Sequence, residues 1–79
     1  MVPVQSKMAR AALGLGIRDL ARLAQVAPAT VGRFEAGVDL KPRTVQAMQL
    51  ALEAAGIEFI DENGGGPGVR LRKRPGKNE

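Results

Sequence analysis

Seventy-nine residues leave room for one small domain, which excludes a multidomain enzyme from the outset. The composition is 44% apolar and 25% charged with two aromatics, Phe34 and Phe59, so the chain reads as globular with a core of Ala, Leu and Val. Twelve Lys and Arg against eight Asp and Glu give a net charge of +4 and point to a polyanionic partner. His, Cys, Trp and Tyr are absent and Ser6 is the only serine, which removes the usual parts of nucleophile-and-base catalysis and of soft metal sites. No enzyme activity, metal or cofactor is therefore expected. No apolar run approaches the ~20 residues that span a bilayer, and residues 1–7 lack a signal-peptide core, so a cytoplasmic protein without a membrane partner is expected. With no disulfide or zinc to staple so short a chain, a homodimer is expected as well.

In chain order, residues 3–56 read as helices separated by Gly and Pro, and residues 57–79 as a strand, a glycine cluster and a basic tail, with the boundary at Gly56. Ser6 is the candidate N-cap of a first helix whose apolar face is Met8, Ala9, Ala12 and Leu13, ended by Gly14, with Arg10 close to that face. A second helix follows Gly16, with Ile17, Leu20, Ala21 and Ala24 on its buried side and Arg18, Asp19 and Arg22 outside. Pro28 suits the first position of a third helix and Gly37 stops it. Val31, Phe34 and, at the edge, Glu35 share one side of that helix; Ala29, Gly32 and Arg33 share the other, an unusually bare face.

A fourth helix runs from Pro42 to Ala55 and is capped by Gly56. Val45, Met48, Ala51, Leu52 and Ala55 form its core stripe, while Ala47, Leu50 and Ala54 widen the apolar arc, read either as extra burial or as a dimer face. Ile57–Ile60 and Val69–Arg74 read as strands able to pair antiparallel; setting Phe59 opposite Leu71 sets Glu58 opposite Arg72. Phe59 and Leu71 join the candidate dimer surface. The glycines between the strands suggest a flexible connection, which leaves open pairing of the second strand with another chain. The basic residues Arg70, Arg72, Lys73, Arg74 and Lys77 fit DNA backbone contact, cross-chain pairing or a solvated end.

Two short helices joined by a tight turn, the second presenting small and basic side chains outward, match the geometry that lays a helix in the major groove of DNA. The segment 15–37, LGIRDLARLAQVAPATVGRFEAG, resembles the XRE family, the Cro and phage-repressor type of helix-turn-helix. The match is specific at Leu20-Ala21, Leu23-Ala24, Val26, Thr30-Val31 and Glu35 through Gly37, and covers about residues 6–56. The resemblance implies an all-α bundle of four to five helices over residues 1–56, here followed by a short C-terminal β-hairpin or strand over residues 57–79. It also implies an ion pair between Arg10 and Glu35, and base contacts from Pro28, Ala29, Gly32 and Arg33 on a recognition helix spanning 28–36. Arg33 carries the strongest code, since arginine fits the N7 and O6 acceptors of guanine. Phosphate contacts would fall to Arg18, Thr30, Lys41, Arg43 and the backbone N–H of Thr44.

The chain departs from the family where Ile17 replaces a phosphate-binding Gln, Gln25 a turn Gly, Ala27 a capping Ser or Thr, and Pro28 a polar base reader. These changes imply few direct base hydrogen bonds and modest specificity assisted by DNA shape. The resulting expectation is a transcriptional regulator that binds double-stranded DNA as a homodimer on an inverted repeat, as a repressor that occludes promoter DNA or as an activator that contacts polymerase. The competing expectation is a protein-interaction module, such as an antitoxin paired with a toxin-like partner or an antiactivator, whose basic tail neutralises an acidic protein.

Overall fold

A computed structural model describes residues 1–72, in which four helices, α1 (Pro3–Leu13), α2 (Ile17–Ala24), α3 (Pro28–Glu35) and α4 (Pro42–Ala54), precede a hairpin of β1 (Ile57–Ile60) and β2 (Gly68–Leu71). The fold is thus predominantly α with a C-terminal antiparallel hairpin; Lys73, Arg74 and Lys77 of the tail lie outside the described residues. Proline opens three of the helices, where its missing N–H leaves no donor unsatisfied. For α1 this corrects the start expected at Ser6. The N-cap is Val2, whose N–H donates to Gln5 Oε1 at 2.8 Å, and Ser6 lies inside the helix, fully buried.

One hydrogen-bond pattern ends the first three helices. After α1, Gly14 (φ 70°) donates to Ala11 O and Leu15 to Arg10 O; after α3, Gly37 (φ 96°) donates to Phe34 O and Val38 to Arg33 O. The turn between α2 and α3 repeats it with Gln25 (φ 60°, ψ 45°), whose N–H meets Arg22 O while Val26 N–H meets Ala21 O. Among the described residues Gln25 is the only non-glycine at positive φ, the conformation its side chain makes costly by about 1–2 kcal/mol.

Ala9, Leu20, Ala21, Val31, Phe34, Met48, Leu52 and Ile57 are buried together. Ala21 is small where α2 meets its neighbours, and each large member contributes about 1.5–3 kcal/mol of apolar burial. Ala12 and Ala55, expected on core faces, are exposed at helix ends. Ile57 belongs to β1, so the hairpin shares the helical core instead of forming a separate unit.

The hairpin register is Ile57 to Leu71, Glu58 to Arg70, Phe59 to Val69 and Ile60 to Gly68, two residues from the expected pairing of Phe59 with Leu71. A shift of two preserves which side chains share a face, so sequence alternation does not separate the two registers. Three contacts do: Arg70 Nε donates to Glu58 Oε1 at 2.7 Å, Arg72 N–H to Gly56 O at 2.7 Å, and the Gln5 side-chain amide to both Ile60 O and Gly68 O. Arg72, expected opposite Glu58, instead donates from Nη2 to Glu53 O. The second strand pairs within its own chain, and Gln5 fastens the loop end of the hairpin to α1.

Candidate nucleic-acid interface

The candidate surface is built on α3. Its inner side is held by Val31 and Phe34 in the core and by Glu35, which is also buried. Arg10 grips that carboxylate with both branches of its guanidinium, Nε to Oε2 at 2.8 Å and Nη2 to Oε1 at 2.7 Å, and Ser6 Oγ donates to Oε2 at 2.6 Å. Arg10 Nη1 also donates to Leu15 O, which ties the α1–α2 turn to the same pair. Burial pushes the Glu35 carboxyl up, but the hydrogen bonds from Arg10 and Ser6 and the charges of Arg10 and Lys7 outweigh it and hold its pKa below the ordinary value. The Arg10 guanidinium is shifted upward, chiefly by its hydrogen bond to Glu35.

Ser6 is a member of this network that the sequence reading assigned to another task. The signal was present: Ser6 and Arg10 are four residues apart and so share a face of α1, and Ser6 is the only hydroxyl on that helix.

The outer side of α3 is open. Pro28, Ala29 and Arg33 are exposed and Gly32 is half-buried, with no atom within 4 Å of the position a Cβ would take there. Thr30 is half-buried at the edge of this face. Ala27 caps the helix without a side-chain hydrogen bond, which leaves its first turn uncovered. Arg18 is exposed in the first turn of α2, Lys41 is exposed as the residue that caps α4, and Arg43 is exposed in the first turn of α4.

The amide of Thr44, assigned to a phosphate in the sequence reading, is already used: it donates to Lys41 O at 2.9 Å because the first turn of α4 is wound tightly. The first free amide of α4 is that of Arg43, since Pro42 has none and Arg43 N–H meets no backbone acceptor among the described residues.

Charge is divided unevenly over the molecule. Arg10, Arg22 and Arg70 are paired with Glu35, Asp19 and Glu58. Arg18, Arg33, Lys41 and Arg43 form no ion pair among the described residues. The Asp19 carboxylate, which would otherwise offset Arg18, accepts from Gly16 N–H at 2.8 Å and from Arg22 at 3.0 Å. These four cations sit on α2, α3 and the start of α4; Lys7 on α1 and Arg72 after β2 are also without an ion pair among the described residues.

The residues expected at a dimer face lie on α4, β1 and β2. Leu50 and Leu71 are 55% and 57% exposed, Ala54 is exposed, and Ala47 is half-buried. Phe59, expected to share this surface, is half-buried against the core. No helix of the described residues is long and apolar enough to cross a membrane. Neither a family model nor a curated protein matches the chain.

Proposed function

We propose that the chain is a sequence-specific transcriptional regulator of the XRE type, which binds double-stranded DNA by laying α3 in the major groove. The observation that carries the reading is the open outer face of α3, its inner side held by the core and by the Arg10–Glu35 pair, with Arg33 exposed on it and Arg18, Lys41 and Arg43 exposed on α2 and at the start of α4, all four without an ion pair among the described residues. Polyanion binding depends on releasing counterions from the nucleic acid, which requires cations not already neutralised by the protein. Arg33 is the principal base reader, with Ala29 against a thymine methyl and Pro28 and Gly32 allowing close approach. Arg18, Thr30, Lys41 and Arg43 hold phosphates, with the Arg43 amide in place of that of Thr44.

Leu50, Ala54 and Leu71 supply the apolar centre of a homodimer interface, with Ala47 and Phe59 at its border, and two copies read an inverted repeat with half-sites about 34 Å apart. The exposed leucines also favour a second reading, in which this surface serves a different protein and the chain is an interaction module of the antitoxin or antiactivator kind.

Selection of bound duplexes from a random DNA pool, followed by titration at two salt concentrations, separates the two. The regulator yields a symmetric motif and an affinity that falls about 0.9 log unit per phosphate contact for each log unit of salt. Arg33→Ala should cost about 1–3 kcal/mol at one base position, and recovery of no motif with no salt-dependent binding favours the interaction module.

A further inference from the structure

The connection between β1 and β2 runs from Asp61 to Pro67 and carries Asn63 followed by Gly64, both exposed. The chain has two asparagines, and Asn63 alone precedes a glycine; Asn78 precedes Glu79. The hydrogen bonds that fix the hairpin run through Gln5, Gly56, Arg70 and Arg72, and none among the described residues engages the Asn63 side chain or the Gly64 N–H. Gly64 stands at φ +89° with no atom within 4 Å of its absent Cβ. The Gly64 N–H thus lies in an exposed segment without an acceptor among the described residues, next in the chain to the Asn63 side chain.

We propose that Asn63 is a site of spontaneous deamidation. Hydroxide removes the Gly64 amide proton, and the nitrogen attacks Asn63 Cγ. A C–N bond forms, the side-chain amide leaves as ammonia, and a five-membered succinimide results. Water then opens the ring. Addition at the former side-chain carbonyl gives aspartate, and addition at the backbone carbonyl gives isoaspartate, with the chain rerouted through the side chain. One water is consumed, one ammonia is released and nothing is oxidised or reduced. Glycine at the next position matters because any Cβ there restricts the backbone angles that bring the nitrogen onto Cγ.

The fold tolerates the product. Asn63 is exposed, and Gly64, Gly65 and Gly66 give the connection slack to absorb one added backbone atom. The new carboxylate follows Asp61 and Glu62, so three acids stand in succession at the hairpin tip and the formal charge falls by one from +4. The modified chain is accordingly a folded charge variant, separable by ion exchange from the parent.

The test incubates the full chain in mildly alkaline buffer made with oxygen-18 water and maps peptides by mass spectrometry, with circular dichroism to follow folding. The expected result is labelled aspartate and isoaspartate at Asn63 with an unchanged helical signal. Gly64→Ala should slow the reaction by about tenfold or more, whereas Gly65→Ala, at a position without positive φ, should leave the rate unchanged. An unmodified Asn63 in the folded chain, under conditions where a peptide of residues 57–72 reacts fully, overturns the proposal, as does equal slowing by the two alanine variants.

Discussion

Replacing Glu35 with alanine removes three charge-assisted hydrogen bonds at once and strands three donor atoms on two side chains. The Ser6 hydroxyl is fully buried and is left without an acceptor, which alone costs about 1–3 kcal/mol. The Arg10 guanidinium keeps its contact to Leu15 O, and 20% of its side chain reaches water. That exposure places the total near 3 kcal/mol, the lower end of the ~3–5 expected when one partner of a buried pair is deleted. A domain of 79 residues is stable by roughly 4–12 kcal/mol, so the variant loses between a quarter and most of its stability. Thermal melting should show a Tm lower by roughly 12–24 °C.

The double variant with Arg10→Met should melt above the Glu35→Ala single, because it no longer buries an orphaned cation. Acid should act on the parent as the mutation does. The Glu35 pKa is lowered in the fold, so its contribution is complete above the ordinary value of 4.5 and is lost as pH falls through the folded value. Glu35→Gln should abolish that part of the acid sensitivity while melting above Glu35→Ala. A Glu35→Ala protein melting within about 5 °C of the parent, or strictly additive single and double variants, would falsify the account of the network.

Gln25→Gly relieves a left-handed conformation worth about 1–2 kcal/mol but adds about 0.4–1 kcal/mol of unfolded-state entropy, so a net gain near 0.5–1 kcal/mol and a Tm rise of a few degrees are expected in a calorimeter. Gly32→Ala meets open space in mid-helix, so it should stabilise the free protein by about 0.5–1 kcal/mol; gel-shift titration should show weaker binding to a selected site, because the added methyl stands between α3 and the groove. Leu50→Glu should leave the fold intact, since the side chain is 55% exposed; if the parent is the proposed homodimer, the variant should sediment as a monomer in analytical ultracentrifugation, and a dimeric mass retained by the variant would move the interface elsewhere.

The helices were legible because their ends are punctuated. Proline at positions 28 and 42 and glycine at 14 and 37 fix starts and stops through backbone geometry alone, and Leu20, Ala21, Val31 and Phe34 fall on inner faces by helical spacing. What escaped the sequence depends on tertiary partners. Ser6 carries a side chain suited to capping, and only the approach of Glu35 makes it worth burying inside a helix begun by Pro3. The hairpin register escaped for a different reason: two registers present the same faces, and one of the contacts that separate them comes from Gln5, a residue 55 positions from Ile60 in sequence. At the candidate interface, exposure of Arg33 followed from periodicity, but occupation of the Thr44 amide by Lys41 depends on how tightly a single turn is wound.

The arrangement of α3 bears on how much specificity so plain a face can hold. On the proposed DNA-binding reading, with only one side chain rich in donors, discrimination by hydrogen bonding is limited to about 1–3 kcal/mol at the base Arg33 would reach. The value of that contact depends on placement, since a guanidinium reads two acceptors only when both lie in its plane. Here placement is over-determined: Val31 and Phe34 seat the helix in the core, and the Glu35 carboxylate locks its last turn to α1 through Arg10 and Ser6. A weakened lock should therefore be felt at the base contact before it is felt in phosphate binding, because phosphates accept from flexible Lys41 and Arg43 side chains over a range of positions. Measured at a temperature where Ser6→Ala remains fully folded, the ratio of affinities for selected and random DNA should fall while the salt slope stays constant. A change in the salt slope with an unchanged ratio would place recognition in the cationic border and not in α3.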